Sequence, residues 1–221
     1  MCFYITIKDL VLGGEVKGLL VCIEGIDGAG KNTQSEMLGK HLRTIGIRSK
    51  IYSYPDYGSV YGKIIKNFLD KKIELSTEEL LFLHILDKQK DKKNVENDLK
   101  QGKIVITDRY VISAIAYPIA GGVDYESAKV VAALSKLPKP DIVFYIDVPV
   151  SVSMERKRKQ KGELDRFEAA SAYLNKVSNV YNRLYRERFG CINWIKINGK
   201  KNAEIVHKEI LSELNKLDLV K

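Results

Sequence analysis

Apolar residues along this chain arrive in two rhythms. Short continuous runs, Leu19-Leu20-Val21-Cys22-Ile23, Ile104-Val105-Ile106, Ile142-Val143-Phe144-Tyr145-Ile146 and the stretch from Ile192 to Ile197, read as strands buried on both faces. Ile51-Tyr52-Ser53-Tyr54, closed by Pro55, adds another. Between them the spacing becomes helical. Met37, Leu38, Leu42 and Ile45 share one face, with Gly46 as a stop, and Val60, Ile64, Ile65, Phe68 and Leu69 repeat the pattern. Ser76 with Glu79 three places on forms a capping box that opens a helix through Leu80-Leu81-Phe82-Leu83-His84-Ile85-Leu86, and a more charged helical stretch runs on to Gly102. Strands alternating with helices predict right-handed crossovers and a parallel sheet, with ligands collecting at the carboxyl ends of the strands.

Before Gly18 the pattern fades. Phe3 to Ile7 read either as an edge strand turning at Gly13-Gly14 or as a leader outside the fold, and the leader is the simpler expectation. The organisation expected is an extension over 1–17 and a single domain over 18–221.

Composition narrows this only a little. A chain of 221 residues with 45% hydrophobic content can bury a full core. A formal charge of +9 suits a polyanionic partner, but no long basic block is interleaved with aromatics, so a nucleotide is expected and a nucleic acid is not. Cys2, Cys22 and Cys191 are odd in number and lack metal-ligand spacing, which suggests reduced thiols in a cytoplasmic protein. No run is apolar and long enough for a membrane span, and the opening residues lack the pattern of a signal peptide.

The chemistry gathers around Gly25-Ile26-Asp27-Gly28-Ala29-Gly30-Lys31-Asn32-Thr33, directly after the first strand and before the first helix. Such a loop cradles phosphate: glycines let the backbone N–H groups point inward, the helix adds its positive end, and Lys31 supplies a flexible charge. The string alone is a weak signal; the strand before it and helix after it are what the mechanism needs. The position after the lysine, normally Ser or Thr for Mg²⁺, is Asn32, whose amide oxygen is a neutral, bulkier substitute. Asp108-Arg109 follows another strand at its carboxyl end, where the acid can orient Mg²⁺ and the arginine can grip phosphate bidentately.

Four phrases in order, Glu24 to Lys31, Tyr54-Pro55-Asp56-Tyr57, Asp108-Arg109-Tyr110-Val111-Ile112-Ser113 with Ala116-Tyr117, and Glu163-Leu164-Asp165-Arg166-Phe167-Glu168, resemble those of thymidylate kinases. The resemblance runs from Gly18 to the C-terminal helix. It implies an α/β, P-loop NTPase-type three-layer fold, a central parallel sheet with helices on both faces and a helical lid at about 157–168. It implies ATP as cosubstrate, Mg²⁺ as cofactor, dTMP as acceptor and a homodimer. Carried over, Gly25 to Thr33 with Arg156 would hold ATP, and Asn32 and Asp108 would face the metal. Asp27 would lie near the acceptor's 3′-hydroxyl, Arg109 would hold its phosphate, and Tyr117 would pack on the deoxyribose. Asp56, Tyr57 and Ser113 would line the acceptor pocket. Lys31, Arg109, Asp27 and Arg166 would carry catalysis, with Arg158 and Lys161 completing a basic lid.

The chain departs from that family in the helix that reads the base. Thymidylate kinases usually carry a stacking phenylalanine with an arginine four residues on. Here one register places His84 and Lys88 there, and the other places Phe82 and Leu86. Spacing back from Gly102 favours His84 with Lys88. Pro118 stands where a glutamine often follows the tyrosine. These changes leave phosphoryl transfer intact and open the base selection, so dUMP or another deoxynucleoside monophosphate is the alternative acceptor. A non-catalytic ATP-binding protein is the other alternative.

Overall fold

The computed structural model describes residues 18–161 and 171–216, and the expectation for residues 1–17 lies outside them. Five parallel strands, β1 (Leu19–Glu24), β2 (Ser49–Ser53), β3 (Ile104–Asp108), β4 (Ile142–Asp147) and β5 (Trp194–Asn198), form one sheet in the order β2-β3-β1-β4-β5. All six β1 residues are buried. Because successive side chains point to opposite faces, that run requires cover on both, as the sequence pattern anticipates. β1 is the central strand, with Val21 opposite Ile106 on one side and Ile142 on the other.

The helices are α1 (Lys31–Thr44), α2 (Val60–Leu69), α3 (Thr77–Gln89), α4 (Lys92–Lys100), α5 (Val111–Ala120), α6 (Tyr125–Leu134), α7 (Val150–Lys161), α8 (Ser171–Arg186) and α9 (Ala203–Lys216). α1 packs on β1, β2 and β3 and against α9, while α5 packs against α3, α6 and α8. The capping box forms: Ser76 N–H donates to the Glu79 carboxylate at 2.7 Å and Glu79 N–H to the Ser76 hydroxyl at 3.1 Å. Each such cap contributes about 1 kcal/mol by satisfying helix-end donors that would otherwise be unpaired.

Three boundaries differ from the sequence expectation, and in the first β2 runs Ser49–Ser53, starting two residues before Ile51 and ending before Tyr54. β5 starts at Trp194, since the register pairs Trp194 with Val143 and leaves Ile192 past the end of β4, 84% exposed. The helical stretch after Ser76 is two helices, broken at Lys90-Asp91. Trp194 is core, and Pro118 is buried in the last turn of α5.

Candidate active site

At the carboxyl end of β1 the chain turns through the glycine loop into α1. Gly25 and Gly28 have φ of 146° and 71°. A Cβ on Gly25 would stand 2.5 Å from the Ile146 carbonyl oxygen, and one on Gly28 would stand 2.6 Å from that of Ser153. Only glycine allows both the left-handed backbone and these approaches. The Ser153 hydroxyl donates to the Asp27 carbonyl, tying α7 to the loop. Lys31 is 6% exposed, and its ammonium is folded back onto the Ile26 carbonyl at 2.8 Å.

This loop lines a cavity of about 490 Å³ with Asp27 to Gln34, Asp108, Arg109, Arg156, Lys157, Gly199 and Lys201 to Ala203. Gly25 and Ile26 shape the turn from beneath it, both buried. Arg156 donates to the Gly199 carbonyl at 2.8 Å, so α7 reaches the turn after β5. Asn32 is exposed and lines the loop cavity together with Asp108. Burial pushes the Asp108 carboxyl up to about 6, with Lys31 and the neighbouring Asn32 opposing. A partly buried carboxylate at the mouth of an open phosphate loop suits Mg²⁺, which ordinarily takes one or two protein oxygens with the rest from phosphate and water, and the Asn32 amide would have to turn its oxygen inward to add a second.

A second cavity of about 350 Å³ adjoins it, lined by Asp27, Tyr54, Tyr57, Ile65, His84, Lys88, Arg109, Ser113, Tyr117 and Lys157 among others. Asp27, Asp108, Arg109 and Lys157 line both. Arg109 is the pivot. Its φ of 65° is a left-handed conformation costing a bulky side chain about 1–2 kcal/mol. Its N–H bonds the Ile23 carbonyl at 3.0 Å, while its guanidinium pairs with Asp27, lies 3.4 Å from the Tyr117 hydroxyl and stacks 5.2 Å from the Tyr117 ring. Burial alone would lower its pKa; Tyr117, Tyr181 and Glu24 hold it above the ordinary arginine value. The Asp27 N–H donates to the same Tyr117 hydroxyl at 3.1 Å.

At the far end of this cavity stand His84 and Lys88. Lys88 is 1% exposed; its ammonium donates to the His84 carbonyl at 3.0 Å and sits 4.9 Å over the Tyr54 ring. Burial pushes the Lys88 amine down to about 8, against the pull of Asp87 and Glu24. Burial and the neighbouring Lys88 push the His84 imidazole down to about 3, so the ring is neutral. Phe82 does not join them. It is 53% exposed and absent from the cavity wall, because residues two apart on a helix point in different directions. Of the two registers weighed from sequence, the structure brings His84 and Lys88 to the cavity and leaves Phe82 in solvent, neither stacked on a ligand site nor packed in the core.

Asp56 lies beside the cavity without lining it. Its carboxylate pairs with Lys90 at 3.3 Å and accepts the Gly58 N–H at 3.0 Å. The buried Asp87 takes the Asp56 N–H at 3.0 Å and the Ser59 hydroxyl at 2.9 Å, anchoring the turn that carries Tyr57. Ser113 lines the cavity, but its hydroxyl is directed at Glu24. Arg158 faces a separate groove with Asp147 and Lys196. Thr33 lines the loop cavity. Arg166 and most of the expected lid lie outside the described residues, and Lys161 closes α7. Sequence reasoning gave no role to Ser153 or Tyr181, counted Lys157 only within the basic lid, and used Asp87 only to set the register of Lys88.

A phosphate loop at the centre of a parallel sheet, with an arginine-bearing second cavity sharing its wall, defines a nucleotide kinase of the P-loop class. The family model described as thymidylate kinase matches residues 23–210. The thymidylate kinase of Fervidobacterium nodosum is 34% identical over 200 residues, spanning 89% of this chain and 98% of its own. That of Thermosipho africanus is 33% identical over 205 residues, spanning 90% and 98%. The crystal structure of thymidylate kinase from Ehrlichia chaffeensis superposes with a TM-score of 0.70 at 25% identity, covering 89% of this chain and 98% of that one. The chain belongs to the thymidylate kinase family.

Proposed function

We propose that this enzyme transfers the γ-phosphoryl group of ATP to dTMP, giving dTDP and ADP in the supply of dTTP. The observation that carries the reading is the pair of adjoining cavities, one lined by the phosphate loop and the other by half-buried Arg109 and His84 with buried Lys88. Phosphoryl transfer asks little covalent work of a protein; it asks that two anions be held in line and that positive charge meet the transferring oxygens.

In this reading the loop from Gly25 to Thr33 holds the ATP phosphates through main-chain N–H groups, and Arg156 closes on the donor beside Gly199. Lys31 leaves the Ile26 carbonyl for the terminal phosphates. Asp108 and Asn32 hold Mg²⁺, which when bound offsets charge on the phosphate oxygens. Arg109 takes the acceptor phosphate, releasing Asp27 toward the 3′-hydroxyl, and Tyr117 packs on the deoxyribose where a 2′-hydroxyl would crowd it. Tyr57 and Ser113 line the acceptor side, Asp56 supports it, and Lys88 donates to a base carbonyl while neutral His84 stacks. Arg166 adds charge from the lid, which excludes water that would otherwise take the phosphoryl group. The enzyme works as a homodimer in the cytoplasm. No described helix is long and apolar enough to cross a membrane, and Cys22 and Cys191 are free and buried.

An acceptor screen coupled to ADP release, with and without Mg²⁺, tests this. dTMP supports turnover in the expected result, with dUMP next. Equal turnover of dTMP, dCMP and dGMP would refute thymine selection.

A further inference from the structure

Glu24, the last residue of β1, is wholly buried and accepts four hydrogen bonds. Its Oε1 takes the Tyr110 N–H at 2.7 Å and the Ser113 N–H at 3.2 Å, and its Oε2 takes the Ser113 hydroxyl and the Tyr181 hydroxyl, the latter at 2.9 Å. Among the described residues no basic side chain bonds to it. The donors come from two elements far apart in sequence: the start of α5 and the middle of α8, where Tyr181 stacks on Tyr145.

The N-cap position of α5 is Tyr110, whose side chain makes no cap. Orphan N–H groups at a helix start must find an acceptor, and here a carboxylate from another strand supplies it. Arg109 is the residue just before that cap. Its own N–H is held by the Ile23 carbonyl, so two successive residues of β1, Ile23 and Glu24, grip two successive residues, Arg109 and Tyr110. Between those grips Arg109 adopts its left-handed backbone, which sends the guanidinium into the wall shared by the two cavities. An off-minimum conformation persists only where its surroundings over-determine it.

We propose that Glu24 is a positioning residue, which seats the start of α5 and thereby aims Arg109 at the acceptor's phosphate. This rests on the reading of Arg109 as the acceptor-phosphate residue. In this role Glu24 acts through Arg109 and not on the acceptor itself, and it is among the neighbours that hold the guanidinium above the ordinary arginine value. Through Tyr181 it also fixes α8 to the same point, so the helix that follows the lid and the acceptor-phosphate arginine share one anchor.

The test compares dissociation constants for dTMP and for thymidine, which lacks the phosphate, by calorimetry on the full chain. Glu24→Asp draws the carboxylate back by one methylene and is expected to weaken dTMP about tenfold while thymidine changes by less than about twofold, as for loss of one charge-assisted contact. Tyr181→Phe removes one bond from Oε2, leaves the cap on Oε1, and is expected to shift dTMP in the same sense by a smaller factor; it carries the test should Glu24→Asp not fold. In the Glu24→Asp/Arg109→Met double variant, dTMP affinity is expected to match Arg109→Met alone. Equal weakening of both ligands, or no change in either, would overturn the proposal. If Arg109→Met itself spares the preference for dTMP over thymidine, the underlying reading of Arg109 fails instead, and the proposal with it.

Discussion

The two cavities are built by opposite means. The loop cavity is made of main chain: turned N–H groups, glycines where a Cβ would strike Ile146 or Ser153, and a helix start. The neighbouring cavity is made of side chains that burial has pushed from their ordinary states, with Lys88 at about 8, His84 near 3 and Arg109 strained and paired to Asp27. Backbone geometry tolerates variation in the residues that carry it, which is why Asn32 can follow Lys31 without disturbing the loop. Desolvated side chains are specific in the other sense: their charge and shape decide what enters.

The sharpest way to break the contrast is at Lys31, the cation carried by the glycine loop itself. Lys31→Met should lower kcat by at least about 10³-fold, since charge on the transferring oxygens is lost at the transition state, and stopped-time ADP assays would show it. Arg109→Met should lower kcat/KM for the acceptor about 10²-fold while the KM for ATP holds, matching loss of a charged contact of roughly 3 kcal/mol. Lys88→Met should raise the acceptor KM about tenfold and leave donor binding alone. Lys88 also sets a pH limb. Its pKa lies below the free amine, so the ammonium is present below about 8 and is lost as pH rises through that value, and acceptor affinity should fall there. Lys88→Arg should remove the limb, because a guanidinium stays charged. The smallest effect belongs to Asn32→Thr, where the Mg²⁺ half-saturation should drop by about two- to threefold, and an unchanged value would count against a ligand role for Asn32.

Much of the frame was legible before any coordinates. Buried apolar runs mark strands without ambiguity when both neighbours in the sheet are strands, and the glycine loop declares its own geometry. The edges were harder. Ile192 extends the apolar run that ends in β5, yet it has no strand opposite it, and nothing local in the sequence says so. The acceptor side was legible only in outline. Phe82 and His84 differ by two places, and on a uniformly apolar helix periodicity cannot say which faces a cavity; that depends on the packing of α2 and α5. The family resemblance of Tyr54-Pro55-Asp56-Tyr57 put Asp56 on the pocket wall, but the buried Asp87 takes its backbone N–H and Lys90 takes its carboxylate, leaving it beside the wall. Glu24 is the clearest case, a carboxylate in a strand whose partners lie 86 to 157 residues away.

The most direct measurement is ³¹P NMR of the purified protein with ATP and Mg²⁺, given dTMP in one tube and thymidine in another. The account predicts the paired β-phosphate resonance of dTDP in the first and no phosphorylated product in the second. Thymidine phosphorylated as readily as dTMP, or ATP left intact beside dTMP, would contradict it.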